Sequence, residues 1–162
     1  MSERFHEVTI TVNGEEVREC VDARQSIVDF LRDTLNLTGS HVGCEHGACG
    51  ACTLLIDGVM VRGCLMLAVQ CDGTRVDTIE GVSDSGAIAD LQQAFEKRNA
   101  LQCGFCTPGM LLAAQELLAR GGVPSREKIR AHLSGNYCRC TGYQAIVDAV
   151  EAVAKARAGA PR

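Results

Sequence analysis

Four cysteines limit what this chain can fold into more than any other feature. Cys44, Cys49 and Cys52 run C-x4-C-x2-C through Gly43-Cys44-Glu45-His46-Gly47-Ala48-Cys49-Gly50-Ala51-Cys52, and Cys64 follows after eleven further residues. At this spacing four thiolates can surround a [2Fe–2S] cluster. With its thiolates the oxidised cluster is a dianion, so backbone N–H groups must turn towards its sulfurs. Gly43, Gly47 and Gly50 permit that approach, and Ala48 and Ala51 add almost no bulk. A structural zinc site usually shows two C-x2-4-C knuckles rather than three cysteines crowded into one run. A disulfide framework belongs to short secreted chains, and the N-terminus here reads without a secretion signal.

The totals bound the rest. In 162 residues, 46% hydrophobic, there is material for one domain or two small ones with a packed core. Four Phe, two Tyr and no Trp make that core aliphatic and alanine-rich. A net charge of −4 without a basic run argues against nucleic acid as a partner. No apolar run approaches the roughly 20 residues that span a bilayer. With neither an apolar leader nor a twin arginine at Met1-Ser2-Glu3-Arg4-Phe5, a cytoplasmic protein is expected. In that compartment ten cysteines point to metal or redox chemistry before disulfides.

Val8, Ile10 and Val12 alternate with Thr9 and Thr11 as in a half-buried strand, and Asn13-Gly14 predicts a hairpin back through Val17 to Val21. Ser26 is placed to cap a helix carrying Ile27, Phe30, Leu31 and Leu35 on one face. Asp57-Gly58 marks a second hairpin between Thr53–Ile56 and Val59–Val61, which returns Cys64 to the cysteine loop. A last strand is expected over 74–79. Two hairpins, a crossing helix and a final strand predict a β-grasp, ferredoxin-like domain over 1–80, with strand order left open. Residues 81–86, small and polar with two glycines, read as a linker.

Beyond it the period becomes helical. Ile88, Leu91 and Phe95 form one face; Met110, Leu111, Ala114, Leu117 and Leu118 form another, with Thr107 as N-cap and Pro108 at N1. Ser125 is read as the cap of a third helix, ended near Gly135, and Thr141 as the cap of a fourth bearing Ile146, Val147, Val150, Val153 and Ala154. Residues 87–162 are thus expected to form a four-helix bundle, and the fold class is α+β.

A second cysteine set lies in this half. Cys103 and Cys106 precede one helix and Cys138 and Cys140 another, where unpaired N–H groups and the positive end of the helix dipole favour thiolate sulfur. Alone, C-x2-C-x31-C-x-C leaves structural zinc open; beside the first loop, a second iron–sulfur cluster is the better reading.

Together, Gly43–Cys52 with Cys64, Gln102-Cys103-Gly104-Phe105-Cys106-Thr107-Pro108-Gly109-Met110 and Gly135-Asn136-Tyr137-Cys138-Arg139-Cys140-Thr141-Gly142-Tyr143 resemble the iron–sulfur (small) subunit of the molybdenum hydroxylases. That is the family of xanthine oxidase and aerobic carbon monoxide dehydrogenase, and the resemblance spans nearly the whole chain. It implies a [2Fe–2S] cluster on Cys44, Cys49, Cys52 and Cys64, facing an FAD-binding medium subunit. It implies a second on Cys103, Cys106, Cys138 and Cys140, nearest the molybdopterin of a large subunit. Gln102 would contact the pterin through its side chain and Cys140 through its backbone. The implied role is electron relay from molybdenum to FAD, with no catalytic residue on this chain and a dimer of heterotrimers as the family's usual assembly.

Other residues take plainer readings. As a ligand His46 would make a Rieske-like centre, but four cysteines already fill the coordination, so Glu45 and His46 are read as surface towards the FAD subunit. Arg139 either offsets cluster charge or reaches a partner. Cys20 and Cys71 are read as buried structural thiols, and His41 and His132 as ordinary polar positions. The competing functions are a free-standing two-cluster ferredoxin, against which the appended bundle and Gln102 speak, and a colourless zinc-stabilised adaptor.

Overall fold

A computed structural model describes residues 4–159. Strands β1 (Phe5–Val12) and β2 (Glu15–Asp22) pair antiparallel around Asn13-Gly14, where Asn13 (φ 51°) and Gly14 (φ 90°) take the left-handed conformations of a type I′ turn. Strands β3 (Thr53–Ile56) and β4 (Val59–Arg62) do the same around Asp57-Gly58. Between them lies β5 (Arg75–Asp77), parallel to β1 and antiparallel to β3, so the sheet runs β2-β1-β5-β3-β4. The final strand is shorter than the span expected from sequence.

Helix α1 (Ile27–Asp29) is capped as expected, the Ser26 side chain accepting from the Asp29 N–H, and continues into a π-helical turn, Phe30–Thr34. Ile27, Phe30 and Leu31 enter a core with Val8, Ile10, Val12, Leu54, Ile56 and Val76. This is the β-grasp domain.

The helical half holds α2 (Ile79–Asp84), α3 (Ala89–Lys97), α4 (Thr107–Ala119), α5 (Arg126–Leu133) and α6 (Gln144–Gly159). The stretch 81–86, expected as a linker, is for the most part helix α2. Its polar composition hid an apolar pair one turn apart: Ile79 is buried in the helical core and Val82 packs against it. Two expected caps also move. Thr107 is the first residue of α4 rather than its cap, with Cys106 in the cap position, and α6 begins at Gln144, three residues past Thr141. Ser125 caps α5 as expected, accepting from the Lys128 N–H.

Strand β3 joins the two halves. All four of its residues are buried. Leu54 and Ile56 enter the β-grasp core, whereas Leu55 belongs to the helical core with Met110, Leu111 and Leu118. A strand alternates its side chains between faces, so β3 serves one core with even positions and the other with odd ones. Thr53, on the helical side, meets a buried polar seam. The Gly50 carbonyl accepts from Thr53 N at 3.2 Å, Thr53 Oγ1 at 2.6 Å and Asn136 Nδ2 at 3.0 Å. Arg62 donates through Nη1 to Thr53 Oγ1 at 2.7 Å and through Nη2 to the Gly135 carbonyl at 2.8 Å.

Gly109 of α4 closes on the same point. A Cβ there would stand 2.4 Å from the Gly50 carbonyl oxygen. Alanine would gain up to about 1 kcal/mol in helix propensity, but forcing a methyl group against fixed backbone costs about 1–3 kcal/mol. Gly109→Ala is therefore expected to lower the thermal midpoint of the iron-loaded protein; an unchanged or raised midpoint would show that α4 does not pack this closely.

Candidate metal centres

The first cysteine loop folds as its composition requires. Glu45 (φ 56°), Gly47 (φ 81°) and Gly50 (φ 74°) turn the backbone around a small space, and the Cys49 N–H donates to Cys44 Sγ at 3.4 Å. That donor, with the nearby N–H groups of His46 and Ala48, holds the Cys44 thiol down at about 6. Across the loop Cys52 is buried, and desolvation first, then its neighbours Cys64 and Cys49, push it up to about 11. The strand-to-turn step after Arg62 therefore brings Cys64 to the loop, as the hairpin spacing predicts.

The helical set is assembled from the loop before α4 and the loop before α6. Cys103 Sγ and Cys140 Sγ lie 3.5 Å apart. Cys106 is pushed up to about 12 by burial first and then by Cys138 and Cys103 beside it. Burial acts most strongly against the Cys138 thiolate, but hydrogen bonds together outweigh it for a net lowering: the Thr141 Oγ1–H donates to Cys138 Sγ at 3.1 Å and its N–H at 3.4 Å, joined by the Cys140 N–H and Cys106. The nearest neighbour of Cys140 is Cys103, which raises it. Tyr143, at the left-handed φ of 67°, accepts from the Cys138 N–H at 2.8 Å through its phenolic oxygen.

The donor sets fit [2Fe–2S] clusters. Two sulfurs on one tetrahedral metal at about 2.3 Å stand roughly 3.7 Å apart, close to the separation of Cys103 from Cys140. Among the described residues no three His, Cys, Asp or Glu side chains converge on a single-ion position; a [2Fe–2S] cluster takes two thiolates at each of two irons. Thiols as basic as those of Cys52 and Cys106 carry their protons at neutral pH in the iron-free chain, so iron loading releases protons and strengthens as pH rises.

Gln102, Cys103 and Cys140 are exposed and Cys106 is half-buried, so the helical site opens at the surface. Leu101, Phe105 and Tyr137 are exposed on flanking positions. Glu45 and His46 are exposed on the first loop, and the His46 Nδ1–H donates back to the Cys44 carbonyl. Cys71 is fully buried, with its thiol pushed up to about 11 by desolvation, as a structural thiol should be. Cys20 is not: it is exposed on β2, an edge strand whose outer face carries Glu16 and Arg18. Nor are the two histidines plain surface positions. His41 stacks on Phe105 with ring centroids 4.7 Å apart and donates from Nδ1 to its carbonyl at 2.8 Å, while His132 Nε2 lies 2.9 Å from Glu116 Oε2 between α5 and α4.

Comparison with known proteins agrees with both halves. The family described as "2Fe-2S iron-sulfur cluster binding domain" matches residues 10–77, and the family "[2Fe-2S] binding domain" matches residues 78–151. The small subunit of nicotine 6-hydroxylase from Paenarthrobacter nicotinovorans is 54% identical over 144 residues, covering 89% of this chain and 87% of that protein. Subunit gamma of caffeine dehydrogenase from Pseudomonas sp. (strain CBB1) is 50% identical over 151 residues, covering 91% and 90%. The chain belongs to the molybdenum hydroxylase family, among its iron–sulfur subunits. A solved chain of quinoline 2-oxidoreductase from Pseudomonas putida 86 superposes with a TM-score of 0.88 at 46% identity, over 97% of this chain and 99% of that one.

Several residues that shape these sites carry no such signal in the sequence. Thr141 stands where a helix cap is expected but points its hydroxyl at a thiol. Tyr143 and Asn136 lie within the Gly135–Tyr143 motif with nothing there to mark their roles, and Arg62 carries no signal at all. Hydrogen bonds to ligand sulfur favour the more negative, reduced cluster. Thr141→Val is therefore expected to lower the reduction potential of the helical-domain cluster and leave the other unmoved in an EPR-monitored redox titration; an unshifted potential would show that the Oγ1–H does not reach the bound thiolate.

Proposed function

We propose that this chain is the electron-transfer subunit of a molybdenum-containing hydroxylase, carrying single electrons from molybdopterin on a large subunit to FAD on a medium subunit. Cys44, Cys49, Cys52 and Cys64 would hold the first [2Fe–2S] cluster, and Cys103, Cys106, Cys138 and Cys140 the second. The observation that carries this reading is the presence of two four-thiol sites on one chain, the helical one open at the surface through Cys103 and Cys140 beside Gln102. Each cluster, when bound, takes up and gives up one electron at a time.

The chain's own residues do the rest. Buried Cys52 and Cys138 keep water from the inner side of each site. The Cys49 N–H and the Thr141 hydroxyl and N–H direct donors at sulfur, where they offset the charge of a reduced cluster. Gln102, exposed next to Cys103, would hydrogen-bond the pterin, and the exposed Cys140 backbone would contact it as well. Exposed Glu45 and His46 would face the FAD subunit. No side chain here is required as an acid, base or nucleophile.

Family membership supports a dimer of heterotrimers, and ten cysteines, eight of them read as cluster ligands, support a cytoplasmic setting. Caffeine, nicotine and quinoline, named in three of the similar proteins, are nitrogen heterocycles, which supports a substrate of that class for the complex, whereas others among them are aldehyde oxidoreductases. Among the described residues no helix is long and apolar enough to cross a membrane.

Isolation of the native assembly tests the proposal. Molybdenum, flavin and two distinct [2Fe–2S] EPR signals should travel with this chain, and Cys106→Ala should remove the helical-domain signal, keep the other and stop reduction of the acceptor. A chain that elutes alone without molybdenum or flavin would contradict it, as would both signals surviving in the variant.

A further inference from the structure

The two cysteine loops touch at one backbone hydrogen bond. The Tyr137 N–H donates to the Cys49 carbonyl at 2.8 Å, and Tyr137 is covalently joined to Cys138. One residue of each thiol set is thus connected to the other through two backbones and a single hydrogen bond. The other contact between the loops has no backbone-to-backbone hydrogen bond: the Phe105 ring, one residue before Cys106, stands against Gly43, one residue before Cys44, and His41 stacks on that ring and donates to the Phe105 carbonyl.

The short connection is held in place by a side chain that touches neither thiol set. Asn136 is 1% exposed, and each of its polar atoms is engaged. Nδ2 donates to the Gly50 carbonyl at 3.0 Å and to Thr53 Oγ1 at 3.1 Å, while Oδ1 accepts from Arg62 Nη2 at 3.3 Å. The amide therefore ties the Gly50 carbonyl, one residue past Cys49, to the residue just before Tyr137. Arg62, from the end of β4, holds the same turn through the Gly135 carbonyl. Buried polar networks that are fully satisfied fix one geometry, because each broken bond leaves an unpaired group.

We infer that Asn136, locked by Arg62, is a positioning residue for electron passage between the two clusters, keeping the Cys49 carbonyl on the Tyr137 N–H. The inference rests on the two-cluster reading above. The step it serves moves one electron: one cluster is oxidised, the other is reduced, no covalent bond forms or breaks and no proton moves. A purely structural seam would affect stability alone; this one also sets a rate.

The test uses the isolated complex with both clusters loaded. Asn136→Ala is expected to keep its iron and both EPR signals, to weaken the spin–spin splitting between the reduced clusters and to slow electron equilibration between them several-fold after pulse reduction. His41→Ala, which removes the stacking and the hydrogen bond at Phe105 and leaves every thiol in place, should alter neither. Unchanged splitting and rate in Asn136→Ala overturns the proposal, and so does equal slowing in His41→Ala, which would make the seam a general support. If Asn136→Ala loses a cluster, Arg62→Gln is read by the same criteria, since it leaves every thiol and the Asn136 amide in place. Cluster loss in that variant too overturns the proposal, because the network would then serve retention. A wild-type complex lacking two EPR-active clusters fails the two-cluster reading instead.

Discussion

A loop that must surround a dianion with its own N–H groups has little room for side chains, and the rest of the molecule is arranged around that demand. Gly50 closes the loop at a positive φ, and its carbonyl then points away from the cysteines into the molecule. Such a carbonyl, buried, needs partners. It finds three donors, from Thr53 twice and from Asn136 once, and the glycine of α4 lets a helix pack directly over it. The junction between the halves thus grows out of the back of the cysteine loop.

Strand β3 carries the same logic into the apolar interior. A sheet with one solvated face would need alternating polar residues, but Thr53-Leu54-Leu55-Ile56 is buried throughout. Its even positions serve the β-grasp core and Leu55 serves the helical core. Two small cores that share a strand resist relative motion better than two domains on a flexible tether, and fixed separation is what one-electron transfer between two centres requires. The short helix α2, where a loose linker was expected, contributes to the same rigidity.

What was legible in the sequence was whatever chemistry or turn geometry forces locally. Cysteine spacing announced both thiol sets, Asn13-Gly14 and Asp57-Gly58 announced the hairpins, and Ser26 and Ser125 announced their helices. What escaped depends on partners far apart in the chain. Arg62 meets Asn136 across 74 positions, and nothing in either neighbourhood signals the pairing. Thr141 sits where a cap residue would, and only the position of Cys138 shows that its hydroxyl goes to sulfur instead. Cys20 alternates with Val17 and the buried Val21 and so falls on the opposite face of β2, and its exposure there follows from the edge position of that strand, which the order of the sheet decides.

The account stands on two [2Fe–2S] clusters per chain, and combined iron and acid-labile sulfide analysis of the purified protein tests it most directly. Two such clusters require about four iron atoms and about four sulfide ions per chain. Half those values would leave one thiol set without its cluster, and metal without sulfide would contradict the account altogether.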